Sequence, residues 1–207
     1  MNEELSVILK RVLALYRKYG IKSITMDDVS RELGISKKTL YQYVKDKDEL
    51  VSKVVELEIS SHQSHLMQSC SENLNAIEQI AEISRCVSFM LREYSAVAEF
   101  DLRKYYPDLH KRLREVRREN MLRFIHDNLV RGKNEGLYRS DLNAEVVAKI
   151  AQSHLDSMFE SEIITVAEFL EPAFSMEFFN YHLRGIVSEK GLKVLDDELK
   201  SFGRQNK

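Results

Sequence analysis

Between Ser36 and Lys47 the chain gathers Ser36, Lys37, Lys38, Thr39, Tyr41, Gln42, Tyr43 and Lys47. These side chains suit contact with a nucleic-acid duplex. Lysine supplies charge to phosphates and donors to guanine edges, and glutamine can pair bidentately with adenine. Tyrosine hydroxyls bond phosphates and fix register, while threonine offers a methyl to thymine and a hydroxyl to phosphate. Lys37, Lys38, Lys45 and Lys47 against Asp46 give this stretch +3, whereas the whole chain carries −2. A duplex-binding surface must therefore come from local arrangement rather than bulk charge. The same residues also fit a short surface helix whose lysines are merely solvated.

Such tips need elements that hold them outward. Thr25 followed by Asp28 has capping-box spacing and predicts a helix from Met26 to Gly34. Gly34 suits the turn because it tolerates positive φ, and Ser30, four residues earlier, is small enough for a close helix crossing. Ser36 caps a short helix running to about Tyr43, and Asp46 with Glu49 opens the next. Val29, Leu33, Ile35 and Leu40 would pin this helix-turn-helix against a first helix over 3–19. That helix carries Leu5, Ile8, Leu9, Val12, Leu13, Tyr16 and Tyr19 on one face and stops at Gly20.

Helical periodicity continues along the chain. Expected helices cover about 74–91, 96–105, 107–131 and 192–202, with "GKNEG" at 132–136 a loop, one capped by Asn143 carrying apolar positions from Val146 to Phe159, and one from Pro172 with apolar positions to Leu183. Seven glycines and two prolines punctuate 207 residues sparsely. The expected fold class is all-α: an N-terminal three-helix helix-turn-helix head joined by a long fourth helix to a larger C-terminal helical bundle. The boundary is drawn as 1–46 for the DNA-binding head and 47–207 for the body. A hydrophobic content of 43% with 31% charged residues is globular. No apolar run reaches membrane-spanning length, and "NEELS" after Met1 is not a targeting signal, so a cytoplasmic location without membrane contact is expected. Cys70 and Cys86 read as unpaired buried thiols.

The run "GIKSITMDDVSRELGISKKTLYQYVKDKDELV" resembles the DNA-binding head of the tetracycline-repressor (TetR) family of bacterial regulators. The resemblance rests on Gly20, Thr25, Asp28, Val29, Gly34, Ile35, Ser36, Leu40, Tyr41, Tyr43, Lys47 and Leu50. Ser30 stands where alanine is usual and Val44 where phenylalanine is common. The late stretch "YHLRGIVSEKGLKVLDDEL" is similar to the dimer-forming helices of many members. The resemblance implies a homodimeric regulator, a repressor released by a small-molecule effector, reading a palindromic double-stranded operator. It assigns DNA contact to Thr25, Ser36, Lys37, Lys38, Thr39, Tyr41, Gln42, Tyr43 and Lys47.

For the body the resemblance implies an effector pocket and a dimer interface. Phe89, Met90, Phe100, Tyr105, Met121, Phe124, His154 and Met158 are the pocket candidates, although core packing is the commoner use for any single one and His154 reads more readily as a hydrogen-bonded core residue than as a ligand. Leu155, Phe159, Phe174, Phe178 and Tyr181 are the dimer candidates, on the wide apolar faces of 145–163 and 172–190. Residues 103–123 carry eight basic side chains against Asp108, Glu115 and Glu119, read as a solvated face with helical ion pairs. His62 and His65 lie three apart without a carboxylate or cysteine in register, so no metal and no cofactor is expected. The remaining alternatives are a helical adaptor without operator binding and an all-α enzyme. The chain carries no glycine-rich phosphate loop, no metal-ligand spacing and no paired nucleophile for the latter.

Overall fold

The structure, a computed structural model, describes residues 3–68, 73–92, 94–160 and 163–205. Among these, the helices in chain order are α1 (Glu3–Tyr19), α2 (Met26–Leu33), α3 (Lys37–Tyr43), α4 (Lys47–Gln68), α5 (Ala76–Arg92), α6 (Ala96–Tyr105), α7 (Pro107–Asn134), α8 (Ala144–Glu160), α9 (Val166–Phe169), α10 (Pro172–Arg184) and α11 (Glu189–Gln205). The all-α expectation holds: an N-terminal three-helix unit, a long helix and a larger helical bundle. The only β-type pairing among the described residues is an isolated antiparallel bridge, Tyr138 with Val187. The chain divides into two compact units, one of Met1–Ser64 with Glu93–Arg117 and one of His65–Arg92 with Arg118–Lys207.

The first unit is built on an apolar cluster in which Leu9, Val12, Leu40 and Leu50 are fully shielded from water. The three- and four-residue spacing of Ile8, Leu9, Val12, Leu15 and Tyr16 gives α1 the face that meets this cluster. Leu33 and Val29 on α2 and Val51, Val54 and Val55 on α4 supply other walls, and Leu102 on α6 and Leu113 on α7 complete it. A helix as short as α3 does not stand alone in water. Its buried side chain is Leu40, and full burial of a leucine contributes roughly 1.5–3 kcal/mol. That anchor and the Ser36 cap fix α3 in place.

The second unit has its own core around Ile77, Leu129, Leu183 and Leu195. A satisfied polar network lies inside it. Asn128 Nδ2 donates to the Ala76 carbonyl at 2.9 Å and to Gln79 Oε1 at 2.7 Å, and the Tyr138 hydroxyl donates to Asn128 Oδ1 at 3.0 Å. Burial pushes the Tyr138 pKa far up, so that hydroxyl remains a donor. Phe169 meets Phe174 and Phe178 edge to face, with centroids 6.0 and 5.7 Å away.

Three boundaries differ from those expected. α7 continues through Gly132 to Asn134, so 132–134 is helix rather than loop. Gly132 serves packing: a Cβ there would run into the Tyr138 ring. The left-handed residue that follows the helix is Gly136, at φ 69°. α11 starts at Glu189 and includes Gly191, whose added Cβ would collide with the Leu137 backbone, while its N–H donates to Ser188 Oγ at 3.1 Å. α9 was not expected. Its start is a capping box in which Thr165 N–H donates to Glu168 Oε2 at 2.8 Å and Glu168 N–H to Thr165 Oγ1 at 3.1 Å. Cys70 lies outside the described residues, and Cys86 lies on α5 with its side chain outside them.

Candidate nucleic-acid interface

The bend between α2 and α3 is fixed from both sides. Gly34 adopts φ 70°, ψ 28°, and its N–H donates to the carbonyls of Arg31 and Ser30. The Ile35 N–H donates to the Ser30 carbonyl at 3.1 Å. These bonds use the carbonyls that a helix end leaves open. From α1, the Arg11 guanidinium donates to the Glu32 carbonyl at 2.5 Å and the Leu33 carbonyl at 3.2 Å. Ser30 is buried, and its hydroxyl donates to the Met26 carbonyl at 2.9 Å, so serine fills an alanine-sized place without an orphaned polar group.

At the start of α2, Asp28 Oδ2 accepts from the Thr25 N–H at 3.0 Å and the Thr25 hydroxyl at 2.6 Å, and Thr25 Oγ1 accepts from the Asp28 N–H at 3.2 Å. The Thr25 hydroxyl holds the Asp28 carboxyl below the usual carboxylate range. At the start of α3, Ser36 Oγ accepts from the Thr39 N–H at 3.0 Å, and the two hydroxyls lie 2.8 Å apart. Both threonines and Ser36 thus serve helix starts first.

The remaining side chains of α3 divide by burial. Lys38, Tyr41 and Gln42 stand exposed on the surface, with Tyr41 47% exposed. Lys37 is also exposed, and its ammonium lies 2.5 Å from Asp27 Oδ1. A surface pair of this kind is worth about 0–1 kcal/mol, so Asp27 holds Lys37 only weakly. Tyr43 is half-buried against the core, and a hydrogen bond with Glu4 raises its pKa. Its backbone carbonyl accepts from Lys53 Nζ at 2.6 Å. Lys47 reaches the Lys22 carbonyl at 3.2 Å, and burial followed by the nearby Lys22 charge lowers its pKa. The structure therefore brings the whole predicted set into one region of the first unit. It presents Lys37, Lys38, Tyr41 and Gln42 as outward tips and uses Thr25, Ser36, Thr39, Tyr43 and Lys47 to hold the frame.

The body candidates are less coherent. Phe100 and Tyr105, on α6 in the first unit, are 48% and 40% exposed. Phe124 is buried in the second core with Met121 packed against it, whereas His154 is exposed. Phe89, Met90 and Met158 lie on α5 and α8 at positions whose side chains are outside those described, as does Phe159 among the dimer candidates. Of the other dimer candidates, Leu155, Phe174 and Phe178 are half-buried around Phe169, and Tyr181 is 77% exposed. Val146 and Ile150, one turn apart on α8 and about half exposed, belong to the apolar face expected over 145–163 but are not among the individual dimer candidates, since apolar periodicity does not tell which positions packing leaves outward. In the basic stretch, Arg112 pairs with Glu56 at 2.5 Å, Arg117 with Glu58 at 2.8 Å, Arg118 with Asp156 at 2.9 Å and Lys111 with Glu115 at 3.8 Å. His62 and His65 have side chains outside those described, and among the described residues no group of three potential metal ligands occurs.

Residues 8–54, the span holding this bend and α3, match the model of the family described as bacterial regulatory proteins, tetR family. The chain is 38% identical over 80 residues to the uncharacterized HTH-type transcriptional regulator YvaF of Bacillus subtilis (strain 168), covering 36% of this chain and 41% of that protein. It thus spans under half the length of that curated relative. Its fold is similar to a transcriptional regulator from Cytophaga hutchinsonii ATCC 33406, with a TM-score of 0.72 at 16% identity over 90% of this chain and all (100%) of the other. It is also similar to the ketosteroid transcriptional regulator KstR2 of Mycobacterium tuberculosis, with a TM-score of 0.56 at 19% identity over 91% and 97% of the two chains. With its locked glycine bend and capped α3, the span 8–54 of this chain is thus similar to the head of the tetR family of bacterial regulatory proteins.

Proposed function

We propose that the protein is a homodimeric, sequence-specific DNA-binding transcriptional regulator, a repressor released by a small-molecule effector, and not an enzyme. The observation that carries this reading is the rigid presentation of Lys37, Lys38, Tyr41 and Gln42 on α3, fixed behind by Leu40, Gly34 and Arg11. Lys, Gln and Tyr tips on a short helix after a tight turn match the geometry by which such helices enter a major groove. Residues 1–46 would act as the reading head and 47–207 as the effector-binding and dimerisation body. Thr25, Ser36, Thr39, Tyr43 and Lys47 join the contact set through their backbone or ends, in addition to their framing roles.

One helix-turn-helix buries little surface, so useful specificity asks for two copies on a palindrome. Tyr181, Val146 and Ile150 offer exposed apolar surface on α10 and α8 for such pairing, beside the candidates Leu155, Phe159, Phe174 and Phe178. Among the described residues no helix is long and apolar enough to cross a membrane. A cytoplasmic site of action, where the operator lies, agrees with that. The effector is assigned to the interior of the body. A coupling of about 1–3 kcal/mol between effector and operator sites is enough to change DNA affinity by up to roughly a hundredfold. The names of the related proteins, transcriptional regulators, support the same reading. The test is binding of the purified protein to the DNA beside its own gene. Lys37→Ala with Tyr41→Phe should abolish sequence-specific binding while leaving the fold intact, and unaltered binding by that variant would overturn the reading.

A further inference from the structure

Outside α3, two lysines of the first unit converge on one exposed ring, and a third adjoins them. Lys22 Nζ lies 4.8 Å from the centroid of Tyr105, and Lys104 Nζ lies 5.3 Å from the same centroid and 5.3 Å from that of Phe100. Lys47 Nζ donates to the carbonyl of Lys22 at 3.2 Å, and the charge of Lys22 is among the causes that lower the Lys47 pKa. Like charges repel, so they gather at a surface only where the backbone holds them or an anion joins them.

Here the backbone holds them. The carboxylate of Asp101, 7% exposed, accepts from the Lys22 N–H at 2.8 Å. Gly20 lets α6 approach: a Cβ there would stand 2.7 Å from Val97 Cγ1 and 2.8 Å from Asp101 Oδ2. The Tyr106 hydroxyl donates to Asp48 Oδ1 at 3.2 Å, which ties the C-terminal end of α6 to the first turn of α4. The acidic groups nearby are thus engaged: Asp101 with the Lys22 backbone, Asp48 with Tyr106, and Asp28 in its capping box. Arg112, Arg117 and Lys111 of the basic stretch meet carboxylates, but Lys104 lies over aromatic faces.

We propose that Lys22 and Lys104, braced on Tyr105, form with the adjoining Lys47 a second phosphate-binding shelf, contributed by the α1–α2 loop, α6 and the start of α4, that grips the operator backbone beyond the bases read by α3. The occupant is the same DNA duplex, and the inference rests on the DNA-binding reading above. Continuity carries it, because Lys47 belongs to the helix-turn-helix contact set and touches Lys22 directly. Two aromatic faces that hold lysine stems in place reduce the entropy lost when those ammoniums meet phosphate. The shelf makes Phe100 and Tyr105 part of a DNA-facing surface and removes them from the effector pocket.

The test uses the full-length protein and the operator duplex that the wild type recovers from a random-sequence pool. Lys22→Gln with Lys104→Gln should weaken binding equally for the operator and its single-base variants. It should flatten the log–log salt dependence by roughly 3–4 for four lost contacts per dimer, at about 0.9 per phosphate. Lys104→Arg should restore most of both. Replacing operator phosphates one at a time with uncharged methylphosphonates should reveal positions that weaken the wild type and leave the double variant unaffected. An unchanged slope and affinity in the double variant, with Lys37→Ala and Tyr41→Phe still abolishing binding, overturns the shelf alone. If the double variant instead loses only a response to inorganic phosphate, the lysines serve a free anion and the shelf is again overturned. A wild type that recovers no operator overturns the DNA-binding reading itself.

Discussion

At the scale of single residues, two glycines with similar backbone angles separate strain from sterics. Gly34 has φ 70° and open space where a Cβ would go, while Gly20 has φ 84° and would clash with Val97 and Asp101. Gly34→Ala should cost the left-handed strain alone, about 1–2 kcal/mol. Gly20→Ala should cost clearly more, because α6 must also retreat. Urea midpoints of the two variants check the order; equal shifts would contradict it. His182 gives a pH dependence. Burial and then the neighbouring His154 lower its pKa, so the folded state prefers it neutral. Its contribution is complete above its ordinary value, near 6.5, and is lost as pH falls through the lowered folded value. Stability of the wild type should decline over that acidic window more than that of His182→Gln, as measured by urea midpoints at pH 7.5 and 5.

At the scale of elements, the caps govern the reading head. Ser36→Ala should destabilise α3 by about 1 kcal/mol, the usual cost of a lost N-cap, and weaken operator affinity with it. Thr25→Ser should keep both stability and affinity, since the capping hydroxyl remains, whereas Thr25→Ala should lose both. Parallel melting and binding titrations decide this. These elements were readable in the sequence because capping boxes and a positive-φ glycine leave local marks: Thr25 with Asp28, Gly34, and Asp46 with Glu49. Other features leave no such mark. Gly132 looks like a helix end, yet it sits inside α7 because Tyr138, brought there by the return of the chain, needs the space. α9 is a four-residue helix, too short for periodicity to reveal. Phe100 and Tyr105 read as interior because they are aromatic, yet tertiary packing turns them outward beneath lysines. Lys22 lies in a loop whose partners are some eighty residues away in sequence, at Asp101 and Tyr105, and local pattern is silent about that.

At the scale of the whole molecule, the proposed function needs two heads held at a fixed separation. Val146 and Ile150, about half exposed one turn apart on α8, and Tyr181 on α10 are the surface proposed for the pairing. Val146→Lys with Ile150→Lys should convert the proposed dimer to monomer in sedimentation at micromolar concentration. It should reduce operator affinity by orders of magnitude while each monomer keeps its helical content; a persisting dimer would move the interface elsewhere. The central claim is that α3 presents a rigid set of tips which a dimer delivers to successive grooves. Hydroxyl-radical footprinting of the purified protein on the DNA flanking its own gene tests it most directly. The expected result is two dyad-related protected half-sites, their centres separated by about one helical turn of 10–10.5 bp or a multiple of it, both lost when Lys37→Ala and Tyr41→Phe are combined. Protection that survives in that variant, or a wild type that protects nothing at low salt, would contradict it.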